Sequence, residues 1–211
     1  MSRALVMRSD MSDERFFDRV SPLAAEAVPG RFGARRDKPG VTLSVRHPVS
    51  VVSIIARKGQ AEPVSSALRV HYGIAAPEPG RSAIGNGLTL HWCGDGQYYG
   101  QADGRGEGAL YRELKSRLAG LASCADQSHG RVIIAVQGPR VRDLLAKGTS
   151  VDLHPAAFGD GRCAVTLMAH VGVHLAQTGA DAFEISVFRS FTRGFWEWLT
   201  LQAEEMGYAV R

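Results

Sequence analysis

The chain has 211 residues, 45% of them apolar, with 25 Lys and Arg against 21 Asp and Glu, a balance that fits a soluble globular protein with one sizeable domain. No run approaches the roughly 20 apolar residues of a spanning helix. Charges interrupt the apolar residues of positions 1–20, which argues against a signal peptide and gives a cytoplasmic, membrane-free protein as the expectation. The net charge of +4 is spread along the chain without a basic tract, so nucleic acid is not an expected partner.

In chain order, residues 1–40 read as an extended N-terminal arm, mobile or laid over another chain. Its end, GRFGARRDKPG (30–40), reads as a linker without helical or strand period. The domain is expected over 41–211. Val41, Leu43 and Val45 alternate as a strand, His47-Pro48 breaks it, and 51–56 follows as a more buried strand. Pro63 in a first turn, with Val64, Leu68 and Tyr72 at helical spacing, predicts a helix over 61–72 that Gly73 closes. Residues 74–82 carry two prolines and a glycine and read as a loop.

Asp95-Gly96 predicts a hairpin between 88–92 and 97–101, and Leu110, Leu114 and Leu118 predict a helix over 107–118. The stretch 122–145, ASCADQSHGRVIIAVQGPRVRDLL, gives strand, turn, strand and a helix opened by Gly138-Pro139. Three strands, 163–170, 172–177 and 182–188, precede a last helix over 191–206 that stops at Gly207. Strand pairs followed by a helix thus recur four times. That predicts an α+β fold of antiparallel sheets in two related halves, not a parallel doubly wound sheet.

Chemical constellations are sparse. Cys93, Cys124 and Cys163 are widely spaced in apolar strands and read as structural thiols. Gly104, Gly106 and Gly108 before a helix, with Asp126 further on, imitate a dinucleotide fingerprint. The spacing is GxGxG, however, and the strand before it is too polar for a parallel-sheet centre. His170 and His174 would lie about 13 Å apart on one strand face, too far for a shared metal. Asp126, Gln127, Ser128 and His129 form the polar cluster most open to a functional reading. Ser128 and His129 point to opposite faces of a strand, which favours a role bracing the turn. No catalytic, cofactor-binding or metal-binding residue is therefore assigned. On the last helix, Phe195, Trp198, Leu199 and Met206 share a broad face, with Phe191 one turn before and Trp196 off its centre. Exposure of Trp196 would mark a partner surface.

ADQSHGRVIIAVQGPRVRDLLAKG, then VDLHPAAF, FEISVFRSF and FWEWL, together with HYGIAAPEPGRSA and GQYY, resemble the gamma subunit of heterotetrameric sarcosine oxidase over residues 65–208. Behind this lies a wider resemblance to the folate-binding domain of the glycine cleavage T protein. It implies that same α+β domain of two interleaved halves. The T protein carries an Asn and paired aspartates on the hairpin after the helix. The corresponding LMAHVGVHL here has no carboxylate, and the later Asn-containing segment is replaced by Phe188-Arg-Ser-Phe191. The resemblance therefore implies a retained fold without folate chemistry: a structural subunit with no cofactor of its own. Its implied partners are alpha, beta and delta chains holding FAD, FMN, NAD and zinc, which demethylate sarcosine to glycine. They yield peroxide, and formaldehyde or a one-carbon unit on tetrahydrofolate. A stand-alone folate-binding or aminomethyltransferase-like protein is the alternative.

Overall fold

The computed structural model describes residues 20–211; the part of the expected arm at 1–19 lies outside the described residues. In chain order the elements are β1 (Gly30–Phe32), β2 (Val41–Arg46), β3 (Val49–Ala56), α1 (Ala61–Tyr72), β4 (Ser82–Gly85), β5 (Leu88–Gly94), β6 (Gln97–Asp103) and α2 (Ala109–Arg117). They continue with β7 (Ala122–Asp126), β8 (Arg131–Gln137), α3 (Val141–Ala146), β9 (Cys163–Met168), β10 (Val171–Gly179), β11 (Ala182–Phe188), α4 (Thr192–Ala203) and β12 (Tyr208–Val210). A seven-stranded sheet has the order β1-β12-β2-β8-β11-β10-β9, and a five-stranded sheet the order β4-β5-β6-β3-β7.

The halves interleave. Omitting β1 and β12, the order β2, β3, α1, β4, β5, β6, α2 is repeated by β7, β8, α3, β9, β10, β11, α4. Each half gives its first strand away: β2 pairs with β8 of the second half, and β7 pairs with β3 of the first, both antiparallel. The copies agree in detail. The β5–β6 ladder shifts register between Trp92 and Gly94, and the β10–β11 ladder shifts at the matching place, between Gln177 and Gly179. Where the two halves meet, the amide of Ser82 donates to Gly161 O at 2.7 Å and that of Cys163 to Gly80 O at 2.9 Å. This reciprocal pair is the mark of an approximate two-fold relation.

Burial follows the strand alternation. Val132, Ile134 and Val136 of β8 and Phe183, Ile185 and Val187 of β11 join Leu144, Leu145, Phe195, Trp196 and Leu199 of α3 and α4 in one core. Val52, Ile54, Leu88 and Leu90 join Val64, Leu68, Leu110 and Leu114 of α1 and α2 in a second. The alternate residues Val49, Val51, Ile133 and Tyr99 form a small third cluster where the sheets face each other. The result is helices, sheet, sheet, helices, the α+β architecture that the recurring pattern predicts.

Three short strands depart from expectation. Gly30–Phe32 lies antiparallel to β12, with Phe32 stacked on Tyr208 at 5.3 Å, so the glycine-rich linker is a strand over those residues. Leu23 is fully buried in the core under the large sheet. Thus 20–40 lies on this chain's own domain. β12 runs parallel to β2, the one parallel pair among the described ladders. Ser82, placed in the loop 74–82, instead begins β4 against β5. Each of these strands has three or four residues, too few to show a period.

Candidate functional site

The space between the two sheets collects the polar side chains that alternation turns away from the helices. Arg46 at the end of β2 forms ion pairs with Glu184 of β11 and Asp103 of β6. Gln101 Nε2 donates to the other oxygen of Glu184 at 3.0 Å. Burial works against the Arg46 charge, but Glu184 and Asp103 more than offset it, so its guanidinium is held above the ordinary value. Arg131 at the start of β8 donates to the Tyr99 hydroxyl and lies over the rings of Tyr99 and Phe188, at 4.4 and 4.0 Å from their centroids.

Beside this network, His91 of β5 and His174 of β10 meet with ring centroids 5.0 Å apart. His174 and Tyr99 also meet edge to face, with ring centroids 5.8 Å apart. His174 Nε2–H donates to the Trp92 carbonyl at 3.2 Å, and His91 Nδ1 lies 2.8 Å from Ser82 Oγ. Burial pushes His91 down to about 3, with the neighbouring His174 and Arg46 adding to the fall. Burial likewise pushes His174 down to about 4, against the Trp92 carbonyl. Ser82 and His91 thus have the contact of a nucleophile and its base. The ring, however, is neutral at pH 7 and too weakly basic to take a proton. The sequence places Ser82 in a loop, so its pairing with His91 across β4 and β5 is not legible there.

The sequence candidates fall elsewhere. Asp126 Oδ1 accepts the Ser128 amide at 2.9 Å, and Ser128 Oγ accepts the Val51 amide at 3.0 Å. Gln127 N donates to Val51 O at 2.8 Å. His129 Nε2 pairs with Glu107 at 2.8 Å, both exposed. The cluster braces the turn onto β3. Gly104 and Gly108 have φ of 65° and 63° and lead into α2, but β6 before them lies antiparallel between β5 and β3. No parallel βαβ turn exists there to cradle a pyrophosphate.

His170 sits in the β9–β10 turn while His174 lies buried in β10, so the two are not neighbours on one face. Among the described residues no group of three or more potential ligands gathers for a metal. The three cysteines are free. Burial raises all three thiols, Cys93 to about 12, which suppresses the thiolate. Trp196 is buried and joins the core, so it marks no partner surface. Phe191, at 55% exposure, is the protruding aromatic of this region.

The model of the sarcosine oxidase gamma subunit family matches residues 59–205. The chain belongs to that family. Members described as sarcosine oxidase subunit gamma share 30% identity over 137 residues in Arthrobacter sp and 30% over 141 residues in Corynebacterium sp. (strain P-1). These matches cover 64% and 66% of this chain and 66% and 65% of those relatives, so the chain spans a little under two thirds of the length of its curated gamma-subunit relatives. Among solved structures it is similar to a chain of heterotetrameric sarcosine oxidase from Corynebacterium sp. U-96 in complex with pyrrole 2-carboxylate. That likeness has a TM-score of 0.75 at 26% identity, covering 89% of this chain and 96% of that one. Aminomethyltransferase T of the glycine cleavage system from Bartonella henselae matches at TM-score 0.60 and 18% identity, over 79% of this chain and 50% of that one. This gamma-subunit chain therefore has the folate-binding type of fold seen in the T protein, in agreement with its interleaved halves.

Proposed function

We propose that this chain is a structural, non-catalytic subunit of a cytoplasmic heterotetrameric sarcosine oxidase. In this reading the alpha, beta and delta subunits hold FAD, FMN, NAD and zinc and carry out the oxidative demethylation of sarcosine to glycine. The gamma chain supplies a rigid folded body to the assembly. The observation that carries this reading is the state of Glu184. It is the most buried carboxylate between the sheets, with its side chain 12% exposed, and Arg46 and Gln101 occupy its two oxygens. Both oxygens of this carboxylate are tied to donors of the chain itself, and the histidines beside it are neutral, which supports a bracing role over an acid–base one.

Co-expression of the alpha, beta and delta subunits with and without this chain tests the reading. Loss of the assembled complex without it is the expected result; full assembly and normal turnover in its absence would overturn it. Titration of the purified chain with tetrahydrofolate addresses the alternative of a folate-binding protein. No saturable binding is expected at micromolar ligand.

A further inference from the structure

The loop 33–39 joins β1 to β2 and lies against the turn between α4 and β12, where a cavity of about 360 Å³ opens. Arg31, Arg35, Arg36 and Tyr208 are among its lining, and no Asp or Glu is. Residues 31–38 hold four cations, Arg31, Arg35, Arg36 and Lys38, against Asp37 alone, a local surplus of three.

The loop is pinned in place. The Ala34 amide donates to Glu204 O at 2.7 Å and the Gly40 amide to Gly207 O at 2.8 Å. Gly33 and Gly207 have φ of 73° and 66°. A Cβ at Gly33 would fall 2.4 Å from Glu204 O, and one at Gly207 would fall 2.4 Å from Ala34 O. Two left-handed glycines thus let backbone lie on backbone, and the arginines project from a fixed base.

Their charges have no counter-ion within the fold. Arg31 donates to the Asp37 carbonyl and Arg36 to the Glu205 carbonyl, both at 3.3 Å, and neutral acceptors leave the positive charge standing. The Arg35 guanidinium has no partner among the described residues. The Glu205 carboxylate, next to the loop, goes to Lys147 at 2.6 Å. By contrast Arg46, Arg105, Arg117, Arg140 and Arg193 each pair with a carboxylate of the chain itself. Guanidiniums match carboxylate and phosphate alike. A phosphate cradle would add converging backbone amides, whereas those of Ala34 and Gly40 are spent on the chain's own carbonyls. A surplus of three over eight residues is also short of the basic stripe that nucleic acid requires.

We propose that this loop receives an acidic segment of another subunit of the oxidase, whose carboxylates pair with Arg31, Arg35 and Arg36. This inference rests on the subunit reading given above.

The test is co-purification of the co-expressed complex carrying the wild-type chain or one of two triple variants. The loop variant is Arg31→Glu, Arg35→Glu, Arg36→Glu. The control, Arg57→Glu, Lys58→Glu, Arg69→Glu, makes the same change in charge at exposed positions after β3 and on α1. Arg35→Glu alone breaks no bond of the fold and serves should the triple variant perturb folding; each thermal midpoint is compared with wild type. Wild type and control are expected to stay with the flavin-bearing subunits, and the loop variant to be retained roughly tenfold less at unchanged folding. Arg35→Glu should show a smaller loss, and wild-type retention should weaken as salt rises. Failure of the wild-type chain to co-purify would remove the subunit reading and the loop's partner with it. Retention of folded loop variants at the wild-type level, or an equal loss in the control, would overturn the loop and leave that reading standing. Nucleic acid carried by wild type and shed by the loop variant would make a polynucleotide the occupant and overturn it. A thermal midpoint that falls equally on deleting residues 1–19 and on reversing the loop, without adding, would assign the loop to the chain's own acids and overturn it as well.

Discussion

His91 and His174, one from each interleaved half, bring their imidazoles together at the junction of the sheets, with centroids 5.0 Å apart and planes tilted by 56°. Both rings are neutral because burial penalises their charged forms, to about 3 and about 4. An unfolded histidine titrates near 6.5. Between that value and the folded ones the unfolded chain binds protons that the folded chain refuses. Stability from this pair is thus fully present above about pH 6.5 and is lost as pH falls toward 4 and 3. The free energy of unfolding is expected to fall steeply across that window, by roughly several kcal/mol in total, and denaturation midpoints with it. His174→Gln should flatten the slope; an unchanged pH profile would disprove the account.

Arg46 and Glu184 form a half-buried ion pair across β8 within the large sheet, and each also reaches β6 of the small sheet, through Asp103 and Gln101. Removing Glu184 leaves Arg46 with only the exposed Asp103 as its counter-ion, and removing Arg46 leaves the Glu184 carboxylate with the neutral Gln101 amide. Glu184→Ala is expected to cost about 2–3 kcal/mol in urea denaturation, and Arg46→Met with Glu184→Leu together to cost less. A double variant as unstable as the sum of the single ones would show that the pair is not coupled.

Leu23 belongs to a stretch whose sequence reads as an arm, yet its side chain is fully buried beside the core of the large sheet. Leu23→Ala is expected to destabilise the chain by about 2–4 kcal/mol. A passive arm would give a change near zero, so a single melting curve separates the two.

Gly59 and Gly207 both have left-handed backbone, at φ of 74° and 66°. A Cβ at Gly59 meets nothing, whereas one at Gly207 would lie 2.4 Å from the Ala34 carbonyl oxygen. Gly59→Ala should therefore cost about 1 kcal/mol, from backbone conformation alone. Gly207→Ala is expected to cost clearly more and to loosen residues 33–36, which hydrogen exchange would report.

Much of the fold was legible from periodicity. Val64, Leu68 and Tyr72 announced α1, and Asp95-Gly96 the β5–β6 hairpin, because helix and turn signals are local. The repeated strand-and-helix order pointed to two halves. The exchange of β2 and β7 left no local trace, since a strand's partner is chosen by the sheet face it helps to bury. The contact between His91 and His174 was hidden for the same reason. Trp196 was open to either reading, core or partner surface, because helical spacing places it beside the apolar stripe without telling how far the large sheet's core extends to cover it.

The exchanged strands also constrain how the chain can be made. A nascent chain that has emerged through α2 has no strand for the outer edge of β3, because β7 is not yet synthesised. Its β2 likewise awaits β8. Neither half can close its sheet during translation, and the long-range pairings that finish both must come late. A gene split between α2 and β7 should accordingly yield two fragments that are soluble only together, each completing the other's sheet.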